Sequence, residues 1–109
     1  MKKELTPEVL NLIANRFKIL SESARLRILH ALQDGEMSVS ELTLMLGTSQ
    51  PNASKHMKIL QDAGIVRREQ RGNTVYYSIA DESVSTLCEV VCGSLAERLK
   101  SQACILALR

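Results

Sequence analysis

Two groups of side chains in this 109-residue chain have the types and spacing to do chemistry. The first is a run of hydrogen-bond donors, Gln50, Ser54, Lys55, Lys58 and Gln61, with Ser49 and Asn52 among them. At 100° per residue, Gln50, Ser54, Lys55, Lys58 and Gln61 share one side of a helix, and Ala53, Met57, Leu60 and Ala63 share the other. A solvated face ordinarily mixes both signs of charge. This one offers donors suited to phosphates and base edges, and its only acid, Asp62, comes near the C-terminal end. The second group is three thiols, Cys88, Cys92 and Cys104. Cys88 and Cys92 are four residues apart, so on a helix their sulfurs can approach on one face. Three soft thiolates match the trigonal preference of arsenic(III) or antimony(III), and other thiophilic metals can take such ligands. Two facts weigh on the other side: a buried cysteine commonly acts as a small hydrophobe, and Cys104 sits about 120° round an unbroken helix from Cys92. A three-thiol site therefore needs a bend or a second chain. A disulfide between Cys88 and Cys92 would strain a regular helix.

The donor run has its own boundaries. Thr48 or Ser49 can cap a first helical turn, Pro51 suits that turn because it lacks an N–H, and Gly64 can close the helix in the left-handed conformation. Ahead of it, Thr6-Pro7-Glu8 is a helix start, followed by Val9, Leu12, Ile13, Phe17 and Leu20 at helical spacing. Ser21 restarts the pattern, and Ala24, Ile28, Leu29 and Leu32 mark a second helix ending near Asp34-Gly35. Ser38 and Glu41 form a capping box that opens a short third helix with Val39, Leu42, Met45 and Leu46 inward. Gly47 turns into the donor-bearing fourth helix. Helices at this spacing form a helix-turn-helix over about residues 38–63.

After Gly64 the period changes to two. Ile65–Glu69 and Thr74–Ile79 are predicted strands separated by Gln70-Arg71-Gly72-Asn73, a hairpin over about 65–79 with a basic tip. Val75, Tyr77 and Ile79 share one face and Tyr76 points the other way. Such a hairpin can lie along a DNA backbone as a wing; a charged edge that deters aggregation is the other reading. A long helix over about 81–106 follows, with Val84, Leu87, Cys88, Val91, Leu95, Leu99 and Leu106 along one stripe.

Length and 45% apolar content fit one domain, residues 1–109, with a modest core. The net charge of +2 is unevenly spread: residues 48–78 hold five bases against two acids, whereas residues 1–47 hold six of each. Positive charge gathers around the donor-bearing helix, as contact with nucleic acid requires. No apolar run approaches membrane length and the N-terminus lacks the apolar core of a signal peptide. The expectation is a cytoplasmic chain with no membrane partner, whose cysteines do not form a disulfide framework.

The stretches Leu20–Leu29, Ser49–Met57, Ala63–Val66 and Gly72–Ile79, in this order, resemble the ArsR (ArsR/SmtB) family of winged-helix bacterial repressors across nearly the whole chain. The resemblance implies a mainly α winged helix-turn-helix with a small β-hairpin, in the order four helices, two strands, one helix. It also implies a homodimer closed through the first and last helices, bound to an inverted-repeat operator in double-stranded DNA and released by an effector. The family's base-reading positions fall on Gln50, Ser54 and Lys55, with Ser49 and Asn52 nearer the backbone. Lys58 shares that face, and Arg67, Arg68, Arg71 and Asn73 suit backbone contacts. His56 lies at the buried edge and reads as a packed histidine.

Several known effector sites of the family have no counterpart here. Ser38 and Ser40 stand where a Cys-x-Cys pair would be, Ser83 and Ser94 replace histidines that would join Asp81 and Glu97, and His30 replaces a redox cysteine. The three C-terminal cysteines are the remaining candidates, and no cofactor is required. The expected function is a repressor released by a thiophilic ion such as arsenic(III). The alternatives are a thiol-redox-responsive or effector-independent regulator, and a winged helix used for protein contacts. A thiol enzyme lacks support, since no phosphate loop or metal-ligand motif appears and His30 and His56 are far in sequence from the thiols.

Overall fold

Capping side chains and glycines set the ends of the first, third and fourth helices. The computed structural model describes the backbone of residues 4–107 and the side chains of residues 4–100. Helix α1 (Pro7–Ile19) starts with the Thr6 hydroxyl accepting from the Val9 N–H at 3.2 Å. Helix α2 (Ser23–Leu32) has no side-chain cap; Glu22 precedes it, and the Ser21 hydroxyl donates back to the Lys18 carbonyl instead. Helix α3 (Val39–Leu46) carries the full capping box: the Ser38 hydroxyl accepts from the Glu41 N–H at 3.1 Å, and the Glu41 carboxylate accepts from the Ser38 N–H at 3.0 Å. Gly47 ends α3 in the left-handed conformation, φ 67°.

Helix α4 (Gln50–Asp62) closes with paired bonds, Gly64 N–H to the Gln61 carbonyl and Ile65 N–H to the Leu60 carbonyl. That is a Schellman closure, and the accompanying apolar contact positions, Leu60 and Ile65, are both fully buried. It delivers the chain directly into the hairpin of β2 (Val66–Arg71) and β3 (Thr74–Ile79). Helix α5 (Glu82–Ala107) completes the order.

The structure adds a strand that the sequence reading lacks. Met37–Ser38 forms β1, antiparallel to β3, with Met37 opposite Tyr77 and Ser38 opposite Tyr76. The sheet order is β1-β3-β2. Two residues are too few to show a period of two, and Ser38 also serves as the N-cap of α3. The hairpin is also tighter than expected. Its strands run through Arg71 and Thr74, leaving the two-residue turn Gly72-Asn73. Gly72 has φ 62°, which suits the first position of a primed hairpin turn.

The core gathers Ile28, Leu29 and Leu32 of α2, Leu42 and Leu46 of α3, and Ala53, Met57 and Leu60 of α4. Ile65, Val66, Tyr77 and Val84 close it from the hairpin and α5. Helix α1 contributes no buried residue, and only Leu20 at its end is sealed in. Its Val9, Leu12, Ile13 and Phe17 are exposed, as are Val90, Val91, Leu95 and Leu99 of α5. One protomer therefore builds its core from the middle of the chain and leaves apolar faces on both terminal helices. Among the described residues no helix is long and apolar enough to cross a membrane.

The capping box has a pH signature. The hydrogen bond from the Ser38 N–H, followed by that from the Ser38 side chain, holds the Glu41 carboxyl below its ordinary value of 4.5. A depressed folded value means that the charged carboxylate favours the fold. Its contribution is complete above the ordinary carboxylate range and is lost as pH falls through the lowered value. Wild type and Glu41→Ala should therefore differ in urea midpoint at neutral pH and converge in acid; a constant gap would exclude this linkage.

Candidate nucleic-acid interface

Helix α4 presents two unlike faces because its apolar stripe is fully occupied. Ala53, Met57 and Leu60 are each 0% exposed, while Gln50, Lys55, Lys58 and Gln61 are exposed and Ser54 is half-buried. Ser49 accepts from the Asn52 N–H at 3.3 Å, and the Asn52 side-chain amide donates to the Thr48 hydroxyl at 3.0 Å. Ser49 and Asn52 thus organise the first turn. Lys58 lies 3.4 Å from Asp62 on the exposed surface; an open i,i+4 pair of this kind adds little stability and leaves the ammonium able to exchange partners.

His56 supports the helix from the other side, as its position on the wheel indicated. Its Nδ1 accepts from Arg25 Nε at 3.2 Å, which places the proton of the neutral ring on Nε2. The same guanidinium donates through Nη1 to the Ile19 carbonyl at 3.0 Å. One arginine of α2 therefore ties α4 to the end of α1. Arg27, two residues on, donates to the Met45 carbonyl at 2.7 Å, placing a cation at the carbonyl end of α3 where the helix dipole favours it.

The register of the hairpin sorts the wing residues. Arg67 and Arg71 share the face of Thr74, Tyr76 and Ser78, whereas Arg68 shares the face of Val75 and the buried Tyr77. Arg67, Arg68 and Asn73 are exposed and enter no salt bridge among the described residues. Arg71 is different. Because β2 runs through it, its side chain lies on the sheet face and not at a free tip. The guanidinium sits 3.9 Å from the centroid of the Tyr76 ring and forms an ion pair with Glu36. Hydrogen bonding to Glu36 is the main reason its pKa is pushed above the ordinary arginine range.

The thiols are not gathered into one site by the described side chains. Cys88 is half-buried against the core, and burial pushes its pKa up. Cys92, one turn on, is exposed. Cys104 lies within α5, but its side chain is outside the described residues. Among the described residues no three His, Cys, Asp or Glu side chains form a group able to hold a metal ion. At the start of α5, Asp81 accepts from the Ser83 N–H at 3.0 Å and from its hydroxyl at 2.5 Å, with Arg16 at 4.0 Å. Asp81 therefore caps the start of α5, with the Arg16 guanidinium of α1 at the limit of ion-pair range.

Comparison with known proteins matches residues 22–68, from α2 into β2, to the arsR family of bacterial regulatory proteins. The arsenical resistance operon repressor of Bacillus subtilis is 33% identical over 103 residues, covering 93% of this chain and 98% of that one. This chain belongs to the ArsR family. It is accordingly a DNA-binding transcriptional repressor and not an enzyme. The crystal structure of M. tuberculosis Rv0081 superposes with TM-score 0.82 at 33% identity, over 90% of this chain and 99% of that one. The homodimeric winged helix-turn-helix DNA-binding domain Mb0332 of Mycobacterium bovis gives TM-score 0.78 at 29% identity, over 91% and 92% of the two chains.

Three residues of this ArsR-family surface were missed from sequence: Arg25, Thr48 as the acceptor for Asn52, and Glu36. Arg25 and Glu36 act on residues 31 and 35 positions away, so no local spacing marks them. Of the two capping candidates, Thr48 and Ser49, Ser49 fills the role, which leaves the Thr48 hydroxyl to accept from the Asn52 amide. Only the outward direction of Tyr76, visible in the strand alternation, hinted that something would cover that face.

Proposed function

We propose that two copies of this repressor pair through α1 and α5 and read an inverted-repeat operator with Gln50, Ser54 and Lys55 in the major groove. Ser49, Asn52, Lys58, Arg67, Arg68, Arg71 and Asn73 contact the backbone in this reading. The observation that carries it is the division of α4 into a face at 0% exposure and an exposed face of donors, which aims the donors away from the body. The exposed Val9, Leu12, Ile13 and Phe17 of α1 and Val91, Leu95 and Leu99 of α5 need a cover, and a second copy supplies the same faces in return. The homodimeric state of Mb0332 supports this pairing.

The effector in this proposal is a thiophilic ion, arsenic(III) or antimony(III), taken by Cys88, Cys92 and Cys104. The arsenical resistance relative and the one-turn spacing of Cys88 and Cys92 support it. The exposed Cys92 is the entry point, and Cys104 of the same or the partner chain completes a trigonal set. Burial of Cys88 disfavours its thiolate, the form that ion capture and redox attack both require, so in this reading the exposed Cys92 reacts first.

Lys55→Ala is expected to reduce the preference for the chain's own promoter over random duplex, by about 1–3 kcal/mol if the lysine reads a base edge. Arg68→Ala should weaken binding to both duplexes alike and lower the salt slope by about 1. Fluorescence anisotropy across a salt series measures both, and unchanged binding by both variants would reject the interface.

Leu95→Glu places a charge in the proposed dimer face. It should yield monomers in sedimentation and weaken operator binding by about a hundredfold or more, because two linked half-site contacts become one. A dimer of wild-type stability would locate the interface elsewhere.

Arsenite added to the protein–promoter complex should release wild type and fail on the triple Cys→Ser variant. Release that survives loss of all three thiols would eliminate the thiol site while leaving the DNA reading intact.

A further inference from the structure

The wing holds an anion for one of its own arginines. Arg71 is the last residue of β2, opposite Thr74 beside the hairpin turn. Its guanidinium does not extend past the turn; it runs back over the Tyr76 ring, 3.9 Å from the centroid, and ends in an ion pair with Glu36. Glu36 precedes β1, and with Ser38 opposite Tyr76 the strand alternation sets Glu36 on the same outer face of the sheet. Both side chains of the pair remain nearly half exposed, at 47% and 44%. The pair is therefore open to an external anion, and an exposed pair of this kind is weak. Arg67 and Arg68 have no such acid among the described residues.

We propose that Glu36 sets the affinity of the wing for DNA, by competing with a backbone phosphate for the Arg71 guanidinium while the Tyr76 ring supports it in either position. This rests on the DNA-binding reading above and names a residue that opposes it. A phosphate offers Arg71 the same bidentate geometry as a carboxylate, so the exchange needs no refolding of the hairpin. Stacking on Tyr76 confines the guanidinium to the outer face of the sheet and shortens the path between the two anions. Glu36→Gln keeps the size of the side chain and removes its charge, leaving Arg71 to the phosphate and to the longer-range attraction of Glu69, opposite Tyr76 on the same face.

The test is a double-mutant cycle read by anisotropy on a labelled random-sequence duplex and on the chain's own promoter, each across a salt series. Glu36→Gln should tighten binding to both duplexes by about two- to fivefold, the range released by breaking an exposed ion pair. Arg71→Ala should weaken both and reduce the salt slope by about 1. In the Arg71→Ala background, Glu36→Gln should lose most of its gain. An equal gain in both backgrounds would overturn the proposal, because Glu36 would then be acting as a general negative charge. No gain on Glu36→Gln, with wild-type binding still salt-dependent, would overturn it while sparing the DNA reading. Wild type that shows no salt-dependent binding to either duplex would overturn both.

Discussion

Everything in this structure that faces outward depends on how tightly the inward face of α4 is held. Ala53, Met57 and Leu60 are completely buried, and Ile65 just beyond the helix is equally buried. Burial of each of the three larger side chains is worth about 1.5–3 kcal/mol, and one residue of rotation turns a helix by about 100°. Any such rotation would expose this stripe and bury lysines, so the apolar contacts determine where Gln50, Ser54 and Lys55 point. The Arg25–His56 bond and the Schellman closure at Gly64 refine that orientation at the side and at the end.

The closure at Gly64 also couples helix to wing. Ile65 donates to the last turn of α4 while its own carbonyl accepts from Ala80 at 2.9 Å, beyond the end of β3. Helix end, strand start and strand end therefore meet at one buried residue. The hairpin leaves this anchor with Val66 opposite Ile79; Arg67 and Arg68 follow opposite Ser78 and the buried Tyr77, and Arg71 lies at the far end opposite Thr74. The small β1 adds an edge to β3 and brings Glu36 onto the sheet face, so a structural detail of two residues decides the company Arg71 keeps.

The terminal helices play the opposite part. They are well-formed helices with apolar faces that the protomer does not cover; Arg16 of α1 approaches Asp81 at the start of α5 at 4.0 Å, and Val84, Leu87 and Cys88 fix the first turns of α5 to the core. A helix with an unpartnered apolar face gains little from folding alone, since most helical stability in proteins comes from packing. Pairing of two copies through these faces would link the cysteines proposed as effector ligands on α5 to the spacing of the two α4 helices, because α5 begins directly after β3.

The local half of the protein was legible in the sequence. The caps at Thr6 and Ser38, the glycine closures at Gly47 and Gly64, the two-faced α4 and the seat of His56 all depend on neighbours within a helical turn or on periodicity, and the structure contains each of them. Residue types at those positions carry the signal because backbone N–H groups at helix starts and left-handed conformations at helix ends accept few side chains. Tertiary structure alone decided the pairing of β1 with β3, the partners of Arg25 and Arg71, and the failure of α1 to enter the core. Those outcomes depend on which segments come together across 30 or more residues, and contacts at that separation leave no periodic mark. Arg71 shows the difference. As a residue type beside a glycine turn it reads as a cation at a basic tip; two more ladder positions in β2, Gln70 and Arg71, make it a strand residue, and folding places Tyr76 and Glu36 within its reach.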